Sequence, residues 1–154
     1  MPSVFQPSRL FRASWITVFG LSVLMFVVSL WVALVGVDPA MFQEQTGVNW
    51  SEVSVDSPGL ASFLTREVRV AGISHAGLAL LAAVVTWVWL RNGDRRAVGV
   101  SLIFPLALAA TAVVFFAGNV AVLGAFYGLV AAALITALLV AAGQLRSHRE
   151  VQVG

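Results

Sequence analysis

The sequence predicts an all-α integral membrane protein, a four-helix bundle with a long extracytoplasmic segment between its first two helices. Composition is the first reason: 60% of the 154 residues are hydrophobic and 10% are charged, whereas a soluble domain has roughly half and a quarter. The second reason is three runs without a charged residue, at 13–37, 70–90 and 97–145. Each run reaches the roughly 20 residues that are needed to cross a bilayer.

The lengths of these runs predict four spans. A single helix over the 49 residues 97–145 would be about 73 Å long, more than twice a hydrocarbon core of about 30 Å. Gly118 and Asn119, in the middle of this run, tolerate left-handed backbone and commonly end helices. The sequence therefore predicts spans at 13–37, 70–90, 97–117 and 120–143, followed by a tail at 144–154.

The first run follows two arginines, as the apolar part of a secretory leader does. Its 25 residues exceed the roughly 7 to 15 of such a leader, and no A-x-A-like cleavage site closes it. We therefore expect the first run to be retained as a membrane span.

The outer segment 38–69 contains helix signals of its own. Asp38, followed by proline, is suited to begin a short helix on the membrane surface, and Gly47 is suited to end it. The valines around Trp50 predict extended or irregular chain after this helix, with the indole ring in the headgroup zone. Pro58, preceded by serine, predicts that the second long helix starts there, well before its apolar span.

The arginines predict the orientation in the membrane. Seven of the nine flank the spans on one side: Arg9, Arg12, Arg91, Arg95, Arg96, Arg146 and Arg149. By the positive-inside rule, both termini are predicted to lie in the cytoplasm and 38–69 outside a cell (inner) membrane. Arginine without lysine, together with abundant alanine, is typical of a GC-rich bacterium. Arginines dispersed over several loops do not form a nucleic-acid-binding stripe.

His75 is the one titratable side chain well inside a predicted span, and an ionisable group there indicates a possible function. Its helical face also has Gly72 and Ala79, so we expect it to face the bundle interior or a partner helix. A neutral imidazole there would bind a backbone carbonyl or a hydroxyl such as that of Thr111. The alternative is a haem or quinone contact, but His148 lies on the opposite side of the membrane, so no cofactor or metal site is predicted.

Small residues predict the surfaces through which helices meet. Gly124, Gly128, Ala132 and Thr136 recur every four residues on the fourth helix. Together with Gly72 and Ala79 on the second helix, they predict close helix packing, within this chain or with another subunit or copy.

Arg66 and Arg69 mark the level at which the second helix enters lipid from the outer side. Their spacing places both on one face of the helix. We expect them to contact lipid phosphates, with two alternatives: ion pairs to acidic residues of the outer segment, or an anionic ligand. The candidate acidic partners are Asp38, Glu44, Glu52 and Asp56.

No catalytic site is predicted. The predicted spans contain no acidic residue, and no serine–histidine–acid or paired-carboxylate set can be assembled on one side of the membrane. The chain has no cysteine, which excludes thiol chemistry and thiolate metal sites. Pro105, inside the third span, is expected to kink that helix.

The Asp38-Pro39 pair after the first span and the stretch Arg69-Val70-Ala71-Gly72 at the entry to the second span resemble DoxX-like small four-helix bacterial membrane proteins. The resemblance implies the architecture and no functional residue.

We expect a non-catalytic protein that acts through helix contacts, as a small subunit or stabiliser of a membrane complex. Its partners would be the lipid bilayer and other membrane subunits or a second copy. The alternative is a bundle that binds a lipophilic redox ligand, quinone or haem, at His75. A small channel or transporter would require a charged pathway, which these spans lack.

Single cysteines at two loop positions test the predicted orientation. In intact cells, an impermeant thiol reagent should label Ser51→Cys and leave Ser147→Cys unlabelled, because only the outer segment is accessible. Both variants should react after the membrane is permeabilised, which serves as the control. Labelling of position 147 in intact cells would show that the orientation is inverted.

Overall fold

The computed structural model describes residues 7–118 and 120–153, with side chains to residue 147. Every regular element in these ranges is helical. In chain order they are α1 (Arg9–Val35), α2 (Pro39–Thr46), α3 (Trp50–Asp56), α4 (Pro58–Val88), a 3-10 turn (Leu90–Asn92), α5 (Arg95–Ser101), α6 (Ile103–Ala117) and α7 (Ala121–Val153).

Four helical segments are long and apolar enough to cross a membrane. They are Arg9–Val35, Pro58–Asn92, Arg95–Ala117 and Ala121–Ser147, with mean hydropathies of 2.6, 1.8, 2.4 and 2.3. The prediction of an all-helical protein with four apolar spans is therefore confirmed. Helix α7 continues through most of the predicted tail, to Val153.

Side-chain capping produces the short helix α2. The Asp38 carboxylate accepts hydrogen bonds from the N–H groups of Ala40 and Met41 at 2.9 and 3.2 Å. These N–H groups have no partner inside the helix, so the cap stabilises the first turn. Gly47 ends α2 with a left-handed φ of 71°, which glycine adopts without strain. Both ends of this helix were predicted from the sequence.

The prediction of extended or irregular chain around Trp50 is wrong, because these residues form α3. Asn49 caps the helix: its side-chain oxygen accepts from the Ser51 N–H at 3.1 Å and from the Ser51 hydroxyl at 2.9 Å. Trp50 packs edge-on against Phe42 with ring centroids 4.9 Å apart. The cap and this aromatic contact together outweigh the modest preference of valine for strands.

Helix α4 begins at Pro58, where the Ser-Pro pair predicts a start. Its last turn continues into the 3-10 turn, and Gly93 then reverses the chain with a left-handed φ of 81°. Asp94 follows as the cap of α5, accepting from the Arg96 N–H at 2.9 Å. The tight connection therefore uses the same type of side-chain cap as α2 and α3.

The third span is interrupted at Leu102, between α5 and α6. Pro105 has no N–H for the Ser101 carbonyl, and its ring would clash with that oxygen in a regular helix. The hydrogen bonds on either side persist, from Leu102 to Val98 and from Leu106 to Leu102, both at 3.1 Å. The helix break at Leu102 thus lies about one turn before Pro105, the residue that was expected to kink this helix.

The turn after α6 differs in part from the prediction. Gly118 has φ −83°, so it is not in the left-handed conformation that was expected of it. Asn119, the other residue of the predicted turn, lies outside the described residues. The Val120 N–H donates to the Phe115 carbonyl at 2.8 Å. A hydrogen bond from residue i to residue i−5 is typical of helix C-termini.

The chain divides into two compact units. The second is continuous, Leu24–Gly77, and the first combines Met1–Val23 with Leu78–Gly154. Helices α1 and α4 each contribute residues to both units. In the first unit, α6 packs along α7: Gly124 lies against the Phe116 ring, and the rings of Phe115 and Tyr127 stack at 5.4 Å.

Helix α1 mixes three serines with larger apolar residues on its buried side and has bulky apolar residues on its exposed side. The buried positions recur every three or four residues: Phe11, Ser14, Val18, Ser22, Met25, Ser29 and Ala33. Leu24, Val27 and Trp31 are exposed. This arrangement suits lipid, in which burial of apolar side chains gives no advantage and small residues allow close packing.

The second unit contains a close contact between helices α1 and α4. A Cβ on Gly72 of α4 would lie 2.7 Å from the Ala33 nitrogen and 2.9 Å from the Ser29 carbonyl oxygen of α1. These neighbours are backbone atoms, which cannot move aside as a flexible side chain can. The absence of a side chain at position 72 is therefore a condition for this packing.

Two glycines of α4 provide a matched test of this contact. Gly72→Ala should destabilise the protein by about 1–3 kcal/mol, because the added methyl overlaps the backbone of α1. Gly77 has nothing within 4 Å of its Cβ position, so Gly77→Ala should be neutral or should stabilise the helix by up to about 1 kcal/mol. Thermal unfolding in mild detergent gives both values. Equal melting temperatures for the two variants would contradict the contact.

Candidate interaction surfaces

His75 lies on α4 within the second unit and is half-buried. Its Nδ1 is 2.9 Å from the Ala71 carbonyl oxygen one turn earlier. Since a carbonyl only accepts hydrogen bonds, Nδ1 must carry a proton, and in the neutral imidazole Nε2 is then the acceptor. The sequence predicts that His75 binds either a backbone carbonyl or a hydroxyl, and Ala71 provides a backbone carbonyl. The Thr111 hydroxyl, the other partner expected from the sequence, donates to the Ala107 carbonyl at 2.9 Å, and its contact with His75 stays a prediction.

The residues around His75 on α4 differ in exposure. Gly72 and Ala79 are buried, in the second and first unit respectively, whereas Ala71 is exposed. Both small residues predicted as interface positions on this helix therefore lie inside the folded chain. In the case of Gly72, the neighbour is α1 of the same molecule.

Metal ligands are not assembled around His75 in the part of the chain that the structure describes. No three histidine, aspartate or glutamate side chains within that part are close enough to hold a metal ion. The His148 side chain lies outside the described part. A haem or quinone contact at His75 therefore remains a prediction from the sequence.

We call the small residues at every fourth position of α7 the four-residue stripe: Gly124, Gly128, Ala132 and Thr136. They do not all lie on one side of the protein. Gly124 is buried, with its Cβ position 3.0 Å from the Phe116 ring, and Gly128 is half-buried, 3.8 Å from the Ala112 methyl. Ala132 and Thr136 are exposed. A step of four residues overshoots a helical turn by about 40°, so three steps rotate the stripe by about 120°. Its first half packs on α6 and its second half faces outward.

A second row of small residues lies entirely on the exposed surface of α7. We call it the small face: Ala125, Ala132, Thr136 and Gly143. Its spacings of seven, four and seven residues follow the helical repeat more closely than the four-residue stripe does. Gly143 has nothing within 4 Å of its Cβ position. Ala125 and Gly143 were not predicted as interface residues, although a search for seven-residue spacing would have found them.

Arg66 and Arg69 have different surroundings. Arg66 is exposed and lies 3.9 Å from the Glu67 carboxylate, and an exposed pair of this kind contributes little to stability. The Arg69 Nε lies 3.2 Å from the Cβ position of Gly36, the residue just after α1. The described chain shows no ion pair from either arginine to the acidic residues proposed as partners.

The end of α1 explains why Arg69 and Gly72 occur three residues apart. Gly36 follows α1 with a left-handed φ of 79°, and its N–H donates to the Val32 carbonyl at 2.9 Å. Helix C-termini have partial negative charge, which a guanidinium stabilises. Arg69 lies at this terminus, and one turn further along α4 Gly72 contacts Ala33. Arg69 and Gly72 therefore both contribute to the packing of α4 against the end of α1.

Three buried hydroxyl groups of the first unit were missed by the sequence analysis. Ser22, Thr86 and Ser101 are almost completely buried, and their side-chain oxygens have no hydrogen-bond partner within the described residues. Ser14 on α1 shows how such a group is satisfied in a helix, since its hydroxyl donates to the Leu10 carbonyl at 2.8 Å. Hydroxyls of this kind are helix-contact groups in membranes.

No protein-family model, no curated protein and no solved structure matches this chain. The resemblance to DoxX-like proteins therefore depends on the Asp38-Pro39 pair and the Arg69 to Gly72 stretch alone. The structure gives these two motifs local roles, as a helix cap and as the α1–α4 contact.

Two substitutions distinguish a structural from a ligand-binding role of His75. His75→Asn should keep expression and folding, because an amide also reaches the Ala71 carbonyl. His75→Leu removes the hydrogen bond to Ala71, an exposed residue, and should cost about 0.5–1.5 kcal/mol. Thermal unfolding and the visible absorbance spectrum of the purified proteins provide the readouts. A folded His75→Asn protein that lost a chromophore or redox activity of the parent would favour the ligand-binding role.

Proposed function

We propose that this chain is a non-catalytic multi-pass membrane protein that acts through helix–helix contacts, as a small subunit or stabiliser of a larger membrane assembly. The observation that supports this most directly is the small face of α7. Four exposed positions there have Ala, Thr or Gly. In a bilayer, small residues allow another backbone to approach closely, and a threonine hydroxyl can hydrogen-bond across the contact.

The rest of the chain supports reading the small face as a contact surface. Where α4 meets α1, the contact is made at Gly72 against Ala33, between small residues. The exposed side of α1 has bulky residues instead, such as Leu24, Val27 and Trp31. The α1–α4 contact is an example of close helix approach through small residues, while other helix contacts of the chain use large rings, such as Trp15 against Trp87. The exposed small residues of α7 are suited to the same close approach by a partner helix.

The exposed area of the spans leaves room for such a partner. Only 22% to 39% of the residues in the most apolar window of each span are buried. Lipid covers most of the remainder, and one additional helix against α7 would occupy a small part of it. We favour a different membrane subunit as the partner, and a second copy of this chain is the other outcome.

The proposed location is the cell (inner) membrane, with both termini in the cytoplasm. Its support is the distribution of arginines, seven of nine on one side of the spans, according to the positive-inside rule. The proposal includes no catalytic step, because the sequence provides no nucleophile, base and acid together on one side of the membrane.

A bundle that binds a quinone or haem is the second candidate. The observation in its favour is the hydrogen bond from His75 Nδ1 to the Ala71 carbonyl at 2.9 Å. Histidines that bind metals commonly use one ring nitrogen in this way, which orients the other nitrogen. The His75→Asn comparison described above tests this candidate.

Adjacent alanines of α7 test the proposed partner surface. Ala132→Leu places a bulky side chain on the small face, whereas Ala133→Leu adds the same atoms about 100° away, also at an exposed position. If the small face packs against a partner, only Ala132→Leu should lose it. Contacts of this kind contribute about 1 kcal/mol each, and a steric clash should cost more than one such contact.

The readout is native mass after purification in mild detergent, with the melting temperature as a control for folding. We expect the parent and Ala133→Leu proteins to retain the partner and Ala132→Leu to elute alone while still folded. A parent protein that is monomeric and has no partner, with both variants identical to it, would contradict the proposal. A parent that forms only homo-oligomers would identify a second copy as the partner.

A further inference from the structure

Six arginines gather where the helices of the first unit begin or end. Two lie in the first turn of α1, one follows α4, two open α5, and one lies in the C-terminal part of α7. We call this region the arginine end: Arg9, Arg12, Arg91, Arg95, Arg96 and Arg146.

Specific contacts bring these helix ends together. The Ser8 hydroxyl donates to the Gln144 side chain at 2.8 Å, which joins the start of α1 to α7. The Arg95 guanidinium donates to the Leu145 carbonyl, which joins α5 to the same turn of α7. Trp87 of α4 contacts Trp15 of α1 edge-on, with ring centroids 6.1 Å apart. The arginine end is therefore one built surface, formed from four parts of the chain.

Carboxylates at the arginine end do not balance its charge. Asp94 is the acidic residue within this part of the described chain, and its side chain accepts from the Arg96 backbone N–H at 2.9 Å. None of the six arginines forms an ion pair within the described residues. All six guanidinium groups carry charge at any physiological pH. The surface is thus strongly positive and suited to an anionic partner.

Tryptophans lie beside these arginines. The Arg91 guanidinium carbon lies 4.5 Å from the centre of the Trp87 ring, within the range of a cation–π interaction. Trp87 and Trp89 are 47% and 48% exposed. Tryptophan concentrates at the interface between hydrocarbon and headgroups. These rings therefore indicate that the arginines lie at the depth of lipid phosphates.

We propose that the arginine end binds the headgroups of anionic phospholipids in the bilayer interface. Guanidinium groups pair with phosphate oxygens through two parallel hydrogen bonds. Zwitterionic lipids contain an amine that compensates the phosphate charge, so the net positive surface favours anionic lipids over them. Near an anionic surface, each arginine contributes about fivefold to binding at moderate ionic strength.

Tryptophan quenching by brominated lipids measures this preference. The full chain with Trp31→Phe and Trp50→Phe, which retains the other three of its five tryptophans, reports on the arginine end. It is reconstituted into phosphatidylcholine vesicles that contain brominated phosphatidylglycerol or brominated phosphatidylcholine. We expect the brominated anionic lipid to bind at least about fivefold better at low salt. Inorganic phosphate should not displace it, because the proposed occupant is a lipid held at the interface.

Arg12→Gln/Arg96→Gln is the test variant, since both side chains are exposed and neither forms an ion pair among the described residues. Arg66→Gln, which removes an exposed arginine from the second unit, is the control. The preference for the brominated anionic lipid should fall to near unity in the double variant and persist in Arg66→Gln, with unchanged helix content in both.

Equal quenching by both lipids in the parent, an equal loss of preference in Arg66→Gln, or displacement by inorganic phosphate would overturn the proposal. If the double variant does not fold, the salt dependence of the parent decides instead: a preference that persists in molar salt would equally overturn it.

Discussion

Inside a hydrocarbon layer, each backbone N–H and C=O must find its hydrogen-bond partner within the chain, because no water is present to replace it. This constraint explains why the spans are helices. Outside the hydrocarbon layer, the first N–H groups of a helix also lack partners inside the helix, so capping residues occur where helices begin. Asp38, Asn49 and Asp94 each use a side-chain oxygen to accept from N–H groups of a first turn. At C-termini, Gly47 and Gly93 turn the chain with positive φ. These few residues determine where the chain leaves one helix and enters the next.

Once the backbone is satisfied, packing distinguishes the buried and exposed sides of each helix. Apolar burial gives no gain between two helices in lipid, so contact area depends on how closely backbones approach. Gly72 against Ala33, and the serine-containing buried side of α1, follow this rule. The small face of α7 and the arginine end are both exposed in the described part of the chain. We propose a partner helix for the first and lipid phosphates for the second.

The spans were predictable because length and hydropathy are properties of the sequence alone. The cap at Asp38 and the start of α4 were predictable for a similar reason, since capping depends on neighbouring residues. Helix α3 was missed although the capping residue Asn49 directly precedes it, because its valines favour extended chain; the contact of Trp50 with Phe42, eight residues earlier, does not show in that pattern. The outward half of the α7 stripe was also hidden: only the packing of α6 shows that Gly124 faces inward while Thr136 does not. The described contact of His75 is local, with Ala71 of its own helix, and its function does not follow from that contact.

The division into a continuous and a discontinuous unit has a consequence for biosynthesis. Leu24–Gly77 is one stretch of chain, so its helices can meet as soon as that stretch has left the ribosome and entered the membrane. The other unit combines the first residues with the last, and its contacts, such as that of Ser8 with Gln144, must wait for the complete chain. Contacts between neighbouring parts of a chain form before distant ones. The start of α1 is therefore synthesised first, yet its contact with Gln144 can form only after α7 has been made.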